Sequence, residues 1–258
     1  MVATPSVPRT SSKFCMSRKI SHQHYQQAFY YSILGIICLI MAYMVQGLGW
    51  LSIYPAMSCL LVGSAYGTNN PAFLGKGSGA YPWMAIILFA PYLIGSWYSW
   101  RIYSRKIPAW TEISPGILQG RRLTARETLN LLQQGSVAVL DLAPEIPEIA
   151  VLRGSNYQHV PVLDLAPPSI EQLAEAVRFI RSRMNTMRIY IHCSLGLSRS
   201  TAVVAAFLIS TGIEPETAIA MIRRSRPGII VSREVQQRLE SYWLIAGPGV
   251  PLCTVSMI

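Results

Sequence analysis

Hydrophobic residues within the first hundred positions form three long runs that contain no charged side chain. The first run, Ala28–Val45, is long enough to cross a bilayer, which takes roughly 20 apolar residues. The second, residues 51–66, is shorter and contains Pro55, so it predicts a second span or a re-entrant segment. The third, residues 81–100, predicts a last span, because its ends carry the Trp and Tyr residues typical of a membrane interface. Together the runs predict a transmembrane region at residues 29–100.

Positive charges around these runs predict which side of the membrane each end faces. Arg101, Arg105 and Lys106 directly follow the third run and indicate a cytoplasmic edge. Residues 1–28 are polar and basic, which predicts a flexible tail. Its positive charge also favours the cytoplasmic side and can bind anionic lipid. Two spans place both ends of the transmembrane region on one side of the membrane, as the charges indicate, whereas the three apolar runs would place them on opposite sides. The number of transmembrane helices, two or three, therefore remains open. A signal peptide is the rival interpretation of the first run, but the long polar leader and the lack of a clean cleavage site favour an uncleaved span.

A polar, glycine-rich segment at residues 67–80 separates the second apolar run from the third. Its fragment Gly-Lys-Gly-Ser-Gly, residues 75–79, resembles part of a phosphate-binding loop, but the full pattern is absent. A flexible turn is therefore the favoured interpretation of this segment, and the sequence leaves its role open.

The rest of the chain has the composition of a water-soluble domain. All twelve carboxylates lie beyond residue 110, in a chain whose formal net charge is +10. We expect a linker at 101–112, one folded domain at 113–245 and a C-terminal tail at 246–258. The basic balance could indicate nucleic acid, but basic and aromatic residues do not interleave. No nucleic acid is expected, because phosphate substrates and anionic lipid account for the charge.

Short apolar runs in this domain alternate with helical patterns. Strands are predicted at 116–120, 137–142, 157–164 and 188–192. Capping boxes predict helices after Thr124 and Ser169, since Glu127 and Gln172 follow three residues later. Further helices are predicted from about residues 199, 215 and 232. The alternation predicts an α/β fold with a mostly parallel central sheet flanked by helices, preceded by the two or three transmembrane helices.

The last predicted strand and a buried helix are joined by a short turn that we name the phosphate loop, residues 193–199. Such a turn can curl so that its backbone N–H groups and the positive end of the following helix face one point, where a phosphate-like dianion binds. Arg199 adds a planar fork that grips two phosphate oxygens. Cys193 lies at the base, where a helix end and a guanidinium favour the nucleophilic thiolate. The predicted phosphate-binding residues are Ser194, Leu195, Gly196, Leu197, Ser198 and Arg199.

Displacing an alcohol from phosphorus also needs a proton donor. We favour Asp164, because the carboxyl ends of parallel strands share one edge of a sheet and Asp164 ends a predicted strand. Asp141 is the rival, but its position after a buried strand suggests a structural side chain that bonds loop amides. Ser200 can hydrogen-bond the sulfur as it leaves. His192 precedes the nucleophile, so its side chain should point away from the bound phosphate and orient the loop.

His-Cys, five residues and Arg-Ser, at positions 192–200, resemble the signature of the protein tyrosine phosphatase superfamily, specifically its compact dual-specificity branch. Residues 139–142, 159–164 and 223–242 resemble an early central strand, the acid-loop segment and the closing segment of that branch. The resemblance covers roughly 113–243. It implies Cys193 as nucleophile, Arg199 as phosphate clamp, Asp164 as general acid and Ser200 as assistant in a second step. It also implies a reaction through a cysteinyl-phosphate that needs no metal or cofactor.

The substrate class stays open at this stage. Phosphotyrosine or phosphoserine/threonine on proteins is the first class, and a lipid phosphate monoester is the second, since some membrane-linked relatives act on phosphatidylglycerophosphate. The five residues between Cys193 and Arg199 carry no charge, which disfavours a polyphosphorylated inositol. We expect an integral membrane protein whose catalytic domain faces the cytoplasm, where a reducing environment protects the thiolate.

Three alternatives compete with this interpretation. A sulfurtransferase loop also joins a strand to a helix, but it usually has four residues rather than five between Cys and Arg. A non-catalytic phosphate-binding module usually lacks the Cys, the Arg or the acid, and all three are present here. A buried structural Cys193 would leave Arg199 unexplained. The other cysteines show no metal or disulfide spacing; they are Cys15, Cys38, Cys59 and Cys253.

Overall fold

The structure, a computed structural model, describes residues 22–45 and 47–246, which form eight α-helices and five β-strands. Most of the predicted tails, at 1–28 and 246–258, lies outside these residues. Where the tails overlap the described residues the chain is helical, because α1 begins at His22 and α8 ends at Ala246. The first helix therefore begins earlier than the apolar run alone predicted.

The first two helices form a pair at the N-terminal end of the described chain. α1 spans His22–Met44, a 3-10 turn spans Gly47–Ser52, and α2 spans Ile53–Gly67 and packs along α1. Two helical stretches, Tyr25–Met44 and Gly47–Gly67, are long and apolar enough to cross a membrane by length and composition. These stretches coincide with the first two predicted runs.

Helix α3 (Trp83–Tyr103) covers the third predicted run, but it lies along the α/β domain. Just before the helix, Tyr81 Oη donates a hydrogen bond of 2.7 Å to the Pro144 carbonyl. Near its end, Trp100 Nε1 donates one of 3.1 Å to the Arg122 carbonyl. A spanning helix has its ends on opposite sides of the bilayer, whereas both ends of α3 contact the same domain. The structure thus corrects the prediction of α3 as a span.

A five-stranded mixed sheet forms the centre of the domain, in the order β1-β2-β5-β3-β4. The antiparallel pair is β1 with β2, and the other neighbours are parallel. Strand β1 was not predicted, since most of it falls in the expected linker. The strands are β1 Trp110–Ser114, β2 Ile117–Arg121, β3 Val137–Asp141, β4 Tyr157–His159 and β5 Arg188–Cys193.

The predicted strand at 157–164 is wrong in its second half, because β4 ends at His159. Pro161 has no N–H to donate to a strand ladder, so regular pairing stops there. The chain still follows β3 for a short distance, since Val160 N donates to the Asp141 carbonyl at 2.9 Å. Asp164 therefore lies on a loop, residues 160–166, that we name the acid loop.

Five helices cover the two faces of the sheet. Both predicted capping boxes are confirmed, at Thr124 with Glu127 and at Ser169 with Gln172. Helix α6 follows β5 directly, and all but the last of its residues are buried, so it forms the centre of the largest core cluster. The helices are α4 Ala125–Gln133, α5 Ile170–Arg183, α6 Arg199–Ser210, α7 Pro215–Ser225 and α8 Arg233–Ala246.

The glycine-rich segment between α2 and α3 is not the flexible turn that its sequence predicted. Its Lys76 enters the α/β domain, where the side chain is 1% exposed and forms an ion pair of 2.6 Å with Asp141 Oδ2. Lys76 Nζ also donates hydrogen bonds to the carbonyls of Ala143, at 2.6 Å, and Ile146, at 2.5 Å. The segment therefore fixes the helical region to the end of β3.

Replacing Lys76 should destabilise the whole protein. Lys76→Met leaves the fully buried Asp141 carboxylate without its cation, and breaking such a pair costs about 3 kcal/mol or more. The measurement is the free energy of unfolding of detergent-solubilised protein in urea. Lys106→Met, at an exposed position, is the matched control and should change little. Equal stability of the two variants would contradict the role assigned to Lys76.

Candidate active site

The phosphate loop runs from the last residue of β5, Cys193, to the first residue of α6, Arg199. At its centre Gly196 has a φ of +69°, which side chains with a Cβ rarely adopt. A Cβ at Gly196 would also lie 2.3 Å from the Gly120 carbonyl oxygen of β2. Because it has no side chain, Gly196 allows the loop to pack closely against β2. Its own backbone N–H donates to Cys193 Sγ at 3.2 Å.

Two buried side chains hold the loop from behind. Arg226 Nε donates to the Gly196 carbonyl at 3.0 Å, and Gln119 Nε2 donates to the same oxygen at 3.2 Å. With its carbonyl bound from behind, the Gly196 peptide keeps its N–H directed at the sulfur. Arg226 lies in the closing segment, residues 223–242, that resembles the dual-specificity branch, whereas nothing in the sequence around Gln119 indicated this contact.

The Arg199 guanidinium is 3% exposed and is held by an acid that sequence reasoning missed. Its Nη1 and Nη2 donate to the two carboxylate oxygens of Glu145, at 2.9 and 2.5 Å. Burial would raise the pKa of Glu145, but the charge and hydrogen bonds of Arg199, with a hydrogen bond from Ser194, lower it below its usual range. Glu145 therefore stays ionised and orients the fork that we expect to grip phosphate. The only signal in the sequence was its closeness to Asp141.

Asp164 lies on the acid loop beside the same guanidinium. Its Oδ1 is 3.2 Å from Arg199 Nη2, and its side chain is 52% exposed. Asp164 and Cys193 line one cavity of about 710 Å³. The next residue, Leu165, has a φ of +58°, an uncommon conformation for a non-glycine residue that is often found near functional sites. The structure thus brings the predicted acid and the predicted nucleophile to one cavity.

The rival acid, Asp141, does not line this cavity. It is fully buried and accepts hydrogen bonds from Ala143 N at 2.9 Å and Tyr157 Oη at 2.8 Å, besides the ion pair with Lys76. Burial would raise the pKa of Asp141, but Lys76 and His192 hold it well below its usual range. The predicted bond between Asp141 and a loop amide is confirmed, and this geometry leaves no free site for proton transfer to a substrate.

The remaining predicted residues lie around the sulfur. Ser200 Oγ is 3.8 Å from Cys193 Sγ and fully buried. His192 turns away from the sulfur, as expected, and its Nε2 forms an ion pair of 2.7 Å with Glu148. Its ring stacks on Tyr190. The phosphate-loop residues that line the cavity are Cys193, Ser194, Leu195, Leu197, Ser198 and Arg199.

Asp141, Glu148 and His192 are the one group in the described residues with the spacing of metal ligands, since their ligand atoms lie within 4.8 Å of one another. Lys76 Nζ already binds Asp141 at 2.6 Å. This ammonium would repel a divalent cation and supplies the positive charge that the buried carboxylates need. The group therefore forms an ion-pair cluster below the phosphate loop.

His192 of this cluster and the half-buried His159, which contacts the Lys76 carbonyl, should affect stability with opposite pH dependence. Asp141 and Glu148 raise the pKa of His192 despite its burial, whereas burial lowers the pKa of His159. An unfolded histidine titrates near pH 6.5. His192 should therefore stabilise the protein below about pH 6.5 and lose that effect as pH rises through its folded pKa. His159 should contribute above about pH 6.5 and lose its effect as pH falls.

The test compares His192→Asn with His159→Asn in urea unfolding between about pH 5 and 8. Relative to the unmodified protein, His192→Asn should be most destabilised at the acidic end and His159→Asn at the basic end. Each difference should reach about 1.4 kcal/mol per unit separating the folded and unfolded pKa values. Parallel curves for the two variants would contradict the assignment of charge within the cluster.

Comparison with known proteins shows what this part of the chain is similar to. Residues 124–243 match the family model described as the catalytic domain of dual specificity phosphatases. Dual specificity protein phosphatase 12 of Mus musculus is 32% identical over 136 residues, which cover 51% of this chain and 40% of that protein. Dual specificity protein phosphatase 15 of Rattus norvegicus is 29% identical over 135 residues, covering 51% and 56%. The chain spans about half the length of the curated relatives it matches.

A solved structure is similar to about the same share of this chain. The crystal structure of Tk-PTP in the active form is 29% identical, covers 53% of this chain and 97% of that chain, and superposes with a TM-score of 0.49. The family match includes the phosphate loop, Glu145 and Asp164, and it leaves α1, α2 and α3 outside. Residues 124–243 therefore resemble the catalytic domain of dual specificity phosphatases.

Proposed function

We propose that this chain is a membrane-anchored, cysteine-dependent phosphatase that hydrolyses phosphate monoesters through a cysteinyl-phosphate intermediate. The observation that carries the proposal is the arrangement around Cys193 Sγ, with the Gly196 N–H at 3.2 Å. Arg199 and Asp164 lie 3.2 Å apart and line the same cavity as the sulfur. A nucleophile, an anion clamp and an acid thus meet at one point.

In the first step the Cys193 thiolate attacks phosphorus. Arg199 grips two of the phosphate oxygens, and the N–H groups of the phosphate loop and the N-terminus of α6 stabilise the charge on them. Asp164 donates its proton to the ester oxygen as the P–O bond breaks. The alcohol or phenol leaves, and phosphate remains bonded to Sγ.

In the second step water replaces the sulfur. The Asp164 carboxylate, having lost its proton, takes one from the water that attacks phosphorus. The P–S bond breaks and returns the thiolate, and the hydroxyl of Ser200, 3.8 Å away, donates a hydrogen bond to the leaving sulfur. Inorganic phosphate leaves, and Asp164 is protonated for the next cycle.

Two substrate classes fit this reaction. Phosphotyrosine or phosphoserine/threonine on proteins is the first, because relatives that resemble the domain are named dual specificity protein phosphatases. A lipid phosphate monoester similar to phosphatidylglycerophosphate is the second, because the cavity above Cys193 extends between the N-terminal helices. The phosphate loop recognises only the phosphate group, so the rest of the cavity must discriminate between the two substrate classes.

The anchor that we propose is the pair α1 and α2, inserted in the bilayer with the catalytic domain on the cytoplasmic side. Large apolar side chains on these helices face outward, an arrangement that a water-soluble surface does not sustain. Two spans return the chain to the side on which it began, which agrees with both groups of basic residues. The exposed side chains of α1 and α2 include Phe29, Tyr30, Ile36, Ile40, Met44 and Leu61.

Replacing the nucleophile tests the reaction itself. Cys193→Ser should lower phosphate release from 4-nitrophenyl phosphate to the uncatalysed rate, because an alcohol is a poor nucleophile at neutral pH. Cys59→Ser, a cysteine of the same cavity on α2, should keep the activity. Phosphate release that survives in Cys193→Ser would reject the mechanism. Phosphate binding without any Cys193-dependent release would leave the non-catalytic binding module as the function.

Replacing the acid tests the role of Asp164. Asp164→Asn should lower kcat about 100-fold for a phosphoserine peptide, since an alkoxide leaves poorly without a proton. The loss should be much smaller for 4-nitrophenyl phosphate, whose phenolate leaves readily. Glu216→Gln removes an exposed carboxylate on α7 and serves as the control. Equal losses on both substrates would show that Asp164 does not act as the acid.

A further inference from the structure

The cavity above Cys193 continues well beyond a phosphate site. With a volume of about 710 Å³, it is lined at one end by the phosphate loop and elsewhere by α1, α2 and α3. On α1 the lining residues recur on one face from Gln27 to Cys38, a rise of about 16 Å. Cys59 of α2 and Gly95 of α3 line the same space. Three helices thus form a long channel that ends at the nucleophile.

Charge is confined to one end of this channel. Its charged lining residues are Glu145, Asp164 and Arg199, all at the phosphate loop. The helical part is lined by uncharged residues, which include apolar and small ones such as Leu34 and Gly95 and hydroxyl-bearing ones such as Tyr31 and Ser96. A polyphosphorylated or acidic ligand would find no cation there, whereas an apolar chain would release water from an apolar surface.

A polypeptide is a poor occupant of such a channel. Its backbone N–H and C=O groups come in pairs at every residue, and the few side-chain hydroxyls of the lining could not satisfy them all after they lose water; each unmade hydrogen bond is costly. A hydrocarbon chain has no such groups. The chemistry of the channel therefore favours an acyl chain over a phosphorylated protein segment.

The outer faces of the same helices carry exposed apolar side chains. Phe29 and Ile36 of α1 are 63% and 50% exposed, and Ile94 of α3, next to the channel residue Gly95, is 66% exposed. Apolar residues therefore lie on both sides of these helices. In a bilayer, lipid chains would surround α1 and α2, and they could enter the channel from the side of these two helices without crossing water.

We infer that the channel binds the acyl chain of a membrane lipid that ends in a single phosphate monoester, so that the lipid, rather than a phosphoprotein, is the substrate. This inference rests on the proposed phosphatase reaction. The five residues between Cys193 and Arg199 carry no charge that could bind a further phosphate, so the loop accepts one phosphate, and α1, α2 and α3 hold the chain that delivers it. The spans are then part of the substrate site as well as an anchor.

Gly95 gives a direct test, because a Cβ added there meets no atom within 4 Å. Gly95→Phe should fill the channel, while Ile94→Phe changes the neighbouring outward position and is the matched control. Full-length protein is reconstituted in phosphatidylcholine vesicles that contain phosphatidic acid, and 4-nitrophenyl phosphate is the soluble substrate. Gly95→Phe should lower the ratio of the kcat/KM values, lipid over soluble, by about tenfold or more. Ile94→Phe should leave the ratio unchanged.

A chain-length series on the unmodified protein provides a second measurement that does not depend on how a variant folds. The kcat/KM for phosphatidic acids should rise steeply with acyl length, since each buried methylene adds binding energy. Values that do not change with length, or faster turnover of a phosphotyrosine peptide than of any lipid, would overturn the inference. Release from 4-nitrophenyl phosphate that is independent of Cys193 would instead overturn the proposed function. The two failures are therefore distinguishable.

Discussion

The buried ion pair between Lys76 and Asp141 is the interaction on which most of this structure depends. Asp141 ends β3, beside the central strand of the sheet, and the Lys76 ammonium reaches it from the segment between α2 and α3. The chain that follows Asp141 carries Glu145, which orients Arg199, and Glu148, which pairs with His192 directly before the nucleophile. A charge supplied from the helical region therefore stabilises the start of the segment on which both contacts to the phosphate loop depend.

The pair between Glu145 and Arg199 has a consequence for catalysis. A guanidinium buried without an anion would be costly, and Glu145 supplies that anion before any phosphate is present. The fork is thus held in one orientation, and the arriving phosphate has to bind the donors that remain free or displace part of the carboxylate. Preorganisation of this kind lowers the reorganisation needed when charge develops on the phosphate oxygens. The lowered pKa of Glu145 keeps its carboxylate ionised, so it can hold the Arg199 guanidinium although the site binds anions.

Local patterns allowed much of this site to be predicted, and contacts over long sequence distances account for the rest. The phosphate loop, its nucleophile and the capping boxes depend on residues within one turn of each other, so spacing alone indicated them. Gln119 contacts Gly196, which lies 77 residues later, and Lys76 contacts Asp141, which lies 65 residues later, so no periodicity in the chain could show either contact. The third span was wrong for a related reason, because apolarity does not distinguish a bilayer from the face of a neighbouring domain.

The acid loop shows why the helices and the catalytic domain are one functional unit. Leu163 and Ala166 flank Asp164, and both are buried in a cluster with Tyr66 of α2 and Tyr92 of α3. The backbone between them passes through Leu165 at a φ of +58°, a conformation that costs energy and persists only where the surroundings hold it. Here the surroundings are largely the helices. A domain cut free before β1 would expose the apolar flanks of the acid loop and leave Asp141 without Lys76, so the position of Asp164, the proposed general acid, depends on the same helices that line the channel.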